Sequence, residues 1–182
     1  MYLGVIIFSF GVDWFTFFDK ILHICNMMEA NYSFLQEPLN FPKFDFRIQE
    51  EKNGKLSIFD ALRKKYLILT PEEWVRQHLI QVLIQKYNYP KSLFALEKGL
   101  KYNQLQKRFD VLVHDRNGAP FLLIECKSPD VKLTQKTIEQ VCVYNKTIKS
   151  PYLGVSNGKQ HMFLEFEESS GKFVQLKGLP IL

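Results

Sequence analysis

Asp110, Glu125 and Lys127 are the residues of this chain best placed to do chemistry together. Fifteen positions separate the two carboxylates, and Cys126 and the lysine follow directly. Phe109, Val111 and Val113 alternate with Asp110, Leu112 and His114, the period of a strand with two distinct faces. Arg116-Asn117-Gly118 then signals a reversal, because Asn-Gly takes the positive φ angles that a tight hairpin demands. Phe121 to Lys127 is a nearly continuous apolar run, as expected of a strand buried on both faces in mid-sheet. Yet that run ends in Glu, Cys and Lys. Glu125 and Lys127 project from one face, about 7 Å apart along the backbone at roughly 3.3 Å per residue.

Two carboxylates and an ammonium at the end of an apolar strand are costly to desolvate unless they serve each other or a cation. A hard divalent ion with oxygen ligands resolves that conflict. Asp110, Glu125 and the backbone carbonyl of Cys126 are a donor set suited to Mg²⁺, which keeps several waters and takes one or two protein carboxylates. Lys127 would then face an attacking water or a phosphate oxygen. The alternative is a strand that ends at the surface with an ordinary Glu-Lys pair, Asp110 being an unrelated edge residue.

The elements that must position these groups lie on both sides of them. Upstream, Leu69-Thr70-Pro71-Glu72-Glu73-Trp74 opens a helix, with Thr70 as N-cap, Pro71 at the first helical position and Glu73 three residues after the cap. The helix is expected to run to Tyr87, where Asn88-Tyr89-Pro90 ends it. Glu73 is explained as the partner in a capping box, and it also sits where a further acid could reach the metal site. Downstream, Ser128-Pro129-Asp130 stops the strand. Thr134 to Ile148 reads as a second helix, with Thr134 as N-cap and Ile138, Val141, Val143 and Ile148 among its apolar positions. Gln140 and Tyr144, four apart, share a face of it. That face looks toward the charged strand end or is simply a polar surface with a half-buried tyrosine.

In this order the chain resembles the PD-(D/E)xK nuclease superfamily, and more closely the N-terminal nuclease domain of type I restriction enzyme R subunits. The likeness covers roughly Leu39 to Phe166 and rests on the segment from Leu69 to Gln77, the Asp110 strand, Glu125-Cys126-Lys127, and Gln140 with Tyr144. The resemblance implies that Asp110 and Glu125 bind the metal, that Lys127 assists the water or the transition state, and that Gln140 and Tyr144 contact nucleic acid. It assigns a catalytic acid to the first helix, matched here by Glu73. The proline that precedes the first aspartate in the family is absent, Arg108-Phe109 standing there instead. The resemblance further implies Mg²⁺-dependent endonucleolytic cleavage of DNA, with Mn²⁺ as substitute, and separate motor or specificity subunits. A non-cleaving DNA-binding or regulatory module with the same fold is the alternative, and Holliday-junction or RNA cleavage would use the same site.

Composition is compatible with these readings. The 182 residues suit one domain with an ample core. Formal charge is +5, but residues 1 to 41 carry Asp13, Asp19, Glu29 and Glu37 against Lys20 alone, a sum of −3 that leaves +8 on the remainder. A basic domain suits a polyanionic partner. Lysines at 98, 101, 107, 132, 136, 146 and 149 flank the site, with Tyr102, Phe109 and Tyr144 among them. Cys25, Cys126 and Cys142 have no CxxC spacing, which excludes a zinc framework, and no pattern around the four histidines supports a Cys-His nucleophile. Cys126 should point into packing, and a reducing cytoplasm is the default compartment.

The expected fold is α/β with a mixed sheet. A restriction-endonuclease-like core, with a central mixed β-sheet flanked by helices, follows an N-terminal β-meander and spans residues 39–182. The meander uses Phe44, Phe46 and Ile48, a turn at Asn53-Gly54, Leu56 to Phe59 and Tyr66 to Leu69, and could shoulder the DNA. Tyr152 to Val155, Gln160 to Phe166 and Phe173 to Leu176 are later strands, with turns at Asn157-Gly158 and Ser170-Gly171. Residues 1–38 form an apolar extension that Asp13 and Asp19 interrupt before it reaches the roughly 20 residues of a membrane span. Met27 or Met28 is the expected natural start; the alternative is an amphipathic helix from Asp13 to Met28. Gly154 to Lys159 is too short between its glycines for a P-loop, with Gln160 where Ser or Thr is required, so no ATP site is expected.

Overall fold

The computed structural model describes residues 31–95 and 109–182. Expectations for residues 1–30, and for Lys98, Lys101, Tyr102 and Lys107, lie outside them. The chain divides into two units, 1–37 and 38–182. Of the first, the described part is a short 3₁₀ turn, Ser33–Leu35, beside which the Tyr32 and Phe34 rings lie 5.9 Å apart.

The second unit begins with an antiparallel meander of β1 (Ile48–Glu50), β2 (Leu56–Asp60) and β3 (Lys65–Ile68). Ile58 stands opposite both Ile48 and Leu67, and Phe59 opposite Tyr66. Phe44 and Phe46, expected in the first strand, precede it instead. Their rings pack on the next helix, Phe46 lying 4.9 Å from Trp74 and 4.6 Å from His78. Alternation with charges is satisfied there by an aromatic cluster, not a ladder.

Helix α1 spans Pro71–Gln81 and continues as a π-helical turn, Val82–Lys86, with Asn88 at φ 57 beyond it. Thr70 accepts the Glu73 N–H at 3.0 Å and so caps the helix. Val75, Leu79, Ile80 and Leu83 form its buried stripe. They meet a six-stranded sheet in the order β4 (Phe94–Ala95), β5 (Val111–His114), β6 (Pro120–Cys126), β7 (Tyr152–Ser156), β8 (His161–Glu167), β9 (Lys172–Leu176). β6 runs parallel to β7, and the other neighbours are antiparallel. The parallel step requires a crossover, which α2 (Gln135–Ile148) supplies.

Strand alternation sorts the core into two layers. Val111, Val113, Leu122, Ile124 and Cys126 pack with the α1 stripe; Leu112, Leu123, Leu153 and Val155 pack with Val141 of α2. Burying each such side chain contributes about 1.5–3 kcal/mol before the entropy of ordering it. β6 lies between the layers, the doubly buried strand that its apolar run anticipates. α2 ends where Asn145 donates to the Ser150 carbonyl at 2.8 Å and accepts its N–H at 2.7 Å, which fixes the entry into β7.

Three local expectations are corrected. Phe109 packs in the Leu112 layer, away from Val111 and Val113, because a bend at Asp110 breaks the alternation before β5 begins. In the β5–β6 turn only Gly118 takes a positive φ, 84°, while Asp115 Oδ1 accepts the N–H groups of Asn117 and Ala119 at 2.8 Å each. A side-chain-closed turn therefore replaces the Asn-Gly one. Val143 of α2 is exposed. In the β7–β8 turn, Gly158 has φ 83°, and a Cβ there would sit 2.8 Å from Leu39 Cδ2 and 3.1 Å from Val75 Cγ2. Gly158→Ala is predicted to cost about 1–3 kcal/mol in urea unfolding, combining the left-handed backbone with overpacking.

Candidate active site

The register of β5 against β6 ends at Val111 opposite Ile124, and the next residues outward, Asp110 and Glu125, both lie at that end of the sheet. Asp110 Oδ2 accepts the Cys126 N–H at 2.6 Å, which fixes the first carboxylate across the last residues of β6. Lys127 extends the ladder, its N–H donating to the Ser156 carbonyl at 2.8 Å. Its Nζ lies 2.7 Å from Glu125 Oε1. Glu125 is only 7% exposed, whereas Lys127 reaches solvent at its tip. The loop after Lys127 is tied down by Asn157, whose side chain donates to the Val131 carbonyl at 2.8 Å. Ser156 Oγ, hydrogen-bonded to His161 Nδ1 at 2.9 Å, accepts the Gly158 N–H and steadies the neighbouring strand end.

Burial dominates the electrostatics. It pushes Asp110 up to about 7, and Glu125 adds to that; the Cys126 N–H opposes it, Glu72 raises it further and Arg76 lowers it. Burial also raises Glu125, against the hydrogen bond and charge of Lys127 and with Glu72 adding repulsion. For Lys127, burial pulls downward, but Glu125, then Glu72 and Asp110, carry the balance above the usual lysine value. Burial keeps the Cys126 thiol well above its ordinary range, a packing residue and not a nucleophile.

The acid of α1 whose charge reaches this cluster is Glu72, which acts on Asp110, Glu125 and Lys127. Glu73 turns elsewhere. Its carboxylate accepts from Arg76 Nε at 3.0 Å and Nη2 at 2.5 Å, and from Gln77 Nε2 at 2.8 Å. Thus the Thr70 half of the expected capping box is present, while the glutamate side chain is held by its own helix. Arg76 is 2% exposed and also lies 3.7 Å from Asp60, the wholly buried end of β2. Asp60 further accepts the N–H groups of Leu62 and Arg63 and pairs with the Arg63 guanidinium at 3.1 Å. The Glu-x-x-Arg spacing was the available signal for this clamp, but Asp60 as its third member is purely tertiary.

Gln140 and Tyr144 meet each other on α2, the amide donating to the phenol at 2.9 Å. Tyr144 also packs against the Leu112 layer. The charges acting on Asp110, Glu125 and Lys127 come from α1 and from one another. Among the described residues no group of three or more His, Cys, Asp or Glu side chains forms a closed metal-ligand cluster. Asp110 and Glu125 bring two carboxylates to this strand end. No described helix is long and apolar enough to cross a membrane.

Glu125 and Lys127 at the end of β6, with Asp110 just before the neighbouring β5, give this mixed α/β domain a charged centre at a strand terminus. Residues 71–180 match the family described as type I restriction enzyme R protein N terminus, and the chain belongs to that family. Among solved structures, it is similar to a fragment assigned to an HsdR subunit of a type I restriction enzyme from Vibrio vulnificus YJ016. The identity is 21% and the TM-score 0.40, over 56% of this chain and 22% of that one. The chain thus corresponds to a small part of that longer protein. No curated protein matches it.

Two predictions follow from the charges. Removing Arg76 leaves the carboxylates of Asp60 and Glu73 without their shared cation, so Arg76→Ala should lower stability by about 3–5 kcal/mol in urea unfolding. Asp110 has its folded value raised to about 7 from an ordinary 3.8, so its penalty is absent below the lower value, grows between the two and is complete above the upper. Asp110→Asn keeps an acceptor for the Cys126 N–H without the charge. It should raise the melting temperature of metal-free protein, with a larger gain at about pH 8 than at about pH 4.

Proposed function

We propose that this domain is a metal-dependent DNA endonuclease of the PD-(D/E)xK type, serving the R subunit of a type I restriction enzyme. The observation that carries the reading is the pair of carboxylates from half-buried Asp110 and buried Glu125 at the end of β5 and β6, with Lys127 bonded to Glu125. Burial pushes both carboxyls above the ordinary carboxylate range, and for Asp110 the Glu125 charge adds to it, so a cation bound between them would stabilise both ionised forms. A hard divalent cation fits that donor set: Asp110, Glu125 and the carbonyl of Cys126 would hold Mg²⁺, with Mn²⁺ able to substitute. When bound, such an ion supplies Lewis acidity toward a phosphoryl oxygen.

The remaining work falls to the chain. Lys127, bonded to Glu125 at 2.7 Å, supplies a cation beside the two carboxylates. Its ammonium offsets charge that develops on the phosphoryl oxygens in the transition state. Glu72, in preference to Glu73, supplies the acid of α1, because Glu73 is committed to Arg76 and Gln77. Gln140 and Tyr144 offer an amide and a phenol to the DNA strand or to the outer shell of the ion. Family membership supports DNA as substrate and partner subunits for translocation and sequence choice.

The test is Mg²⁺-dependent nicking of supercoiled plasmid by protein cleared of contaminating nuclease. Asp110→Ala and Lys127→Ala should each reduce it by more than about 100-fold while the domain stays folded, the loss expected when one transition-state charge partner is removed. Glu72→Gln should lower cleavage with little effect on stability, and Glu73→Gln should lower stability more. Full cleavage by either Asp110→Ala or Lys127→Ala ends this assignment.

A further inference from the structure

We propose that the outer face of the β1–β3 meander is a phosphate-gripping surface for duplex DNA, using Arg47, Lys64 and Tyr66 beside the scissile position. This rests on the nuclease reading for its choice of polyanion. Strand alternation gives the meander two faces. One carries Ile58 and Asp60, both wholly buried, and is joined to α1 through Asp60 and Arg76. The other carries Arg47, Phe59 and Tyr66 in a row across the three strands: Phe59 pairs with Tyr66, and its N–H donates to the Arg47 carbonyl at 2.9 Å.

That row is built to present a cation. The Arg47 guanidinium carbon lies 3.6 Å from the Phe59 ring centroid, and the Tyr66 ring meets Phe59 edge-on at 5.3 Å. Stacking fixes the plane of the guanidinium and leaves its N–H edges for an acceptor. Tyr66 is 38% exposed and Ile68 48%, an apolar strip that could lie along deoxyribose. Lys64 sits in the β2–β3 turn at φ 53, at the end of the same strands. Among the described residues no carboxylate lies within ion-pair distance of Arg47 or Lys64.

Charge and position favour nucleic acid over a protein partner. Between Lys43 and Tyr66 the sequence has seven basic residues against four acids. Asp60 is paired with Arg63 and Arg76, whereas Glu51 keeps its charge while accepting the Ser57 hydroxyl at 2.6 Å, so the segment is net positive by three, seven against four. β3 ends at Ile68, Leu69 still donates to Leu56, and Thr70 caps the helix whose first turn carries Glu72. The meander and the acidic turn are therefore one continuous piece of backbone. A duplex engaged at the strand end would pass the meander, with contacts that read phosphate and not sequence.

The experiment measures binding of a fluorescent duplex to the full chain in EDTA, between about 50 and 200 mM KCl, with plasmid nicking followed in parallel. Arg47→Glu with Lys64→Glu should weaken binding at least about tenfold and flatten the slope of log Kd against log salt by about two; Lys64→Glu alone should flatten it by about one. Lys172→Glu with Lys177→Glu, on and just after β9, should move the slope much less. Unchanged affinity and slope in both meander variants, an equal effect from the β9 pair, or no DNA binding by the unaltered chain overturns the inference. An unaltered chain that nicks plasmid while the meander variants bind normally removes this inference alone. A chain that binds through the meander and never nicks supports it and removes the nuclease reading alone.

Discussion

The hydrogen bond from the Cys126 N–H to Asp110 Oδ2 is the contact on which the arrangement turns. It spends a backbone donor at the end of the central strand on a carboxylate, and so draws one acid across the sheet end toward another. Everything around it manages the repulsion that results. Lys127 pairs with Glu125 on the solvent side, while Arg76 approaches from α1 with its own charge held between Glu73 and Asp60. Such burial is destabilising by itself, and it persists because two apolar layers and a capped helix fix the backbone around it.

Arg76 links parts that the chain keeps separate. β2 delivers Asp60, α1 delivers Glu73 and Gln77, and the guanidinium joins them in a nearly solvent-free pocket. The clamp holds Glu73 against its own helix, while the charge of the adjacent Glu72, about 100° further round the helix, acts on the strand end. The same clamp ties the end of β2 to α1.

Much of this was legible in the residues themselves. Period-two alternation and the apolar run located β5 and β6, Thr70 and Thr134 marked the starts of both helices, and the Asn53-Gly54 and Asn157-Gly158 turns fell where glycines take positive φ. Antiparallel pairing of β5 and β6 anticipates Asp110 and Glu125 at one sheet end, and the spacing of Glu125 and Lys127 anticipates their pairing, while the Asp110 bond to the Cys126 N–H depends on a bend that alternation does not give. What escaped was tertiary. The Thr-x-x-Glu pattern that explains Glu73 is local and cannot see Arg76 swing the carboxylate away from the cap. Phe109 was misassigned because a bend resets alternation, and Phe44 and Phe46 because rings that pack on Trp74 and His78 need no strand to be buried.

The β5–β6 hairpin also bears on the order of assembly. Asp110 and Glu125 are brought together by one of the more local long strand contacts in the six-stranded sheet, closed by a short turn whose loop entropy is small. The Arg76 cation, in contrast, arrives only when α1 docks, and the partner of the Lys127 N–H only when β7 is placed across the α2 crossover. The main electrostatic cost of the acid pair is burial, so it is incurred only as the helices close over the strand end, the same step that brings the Arg76 cation near Asp110.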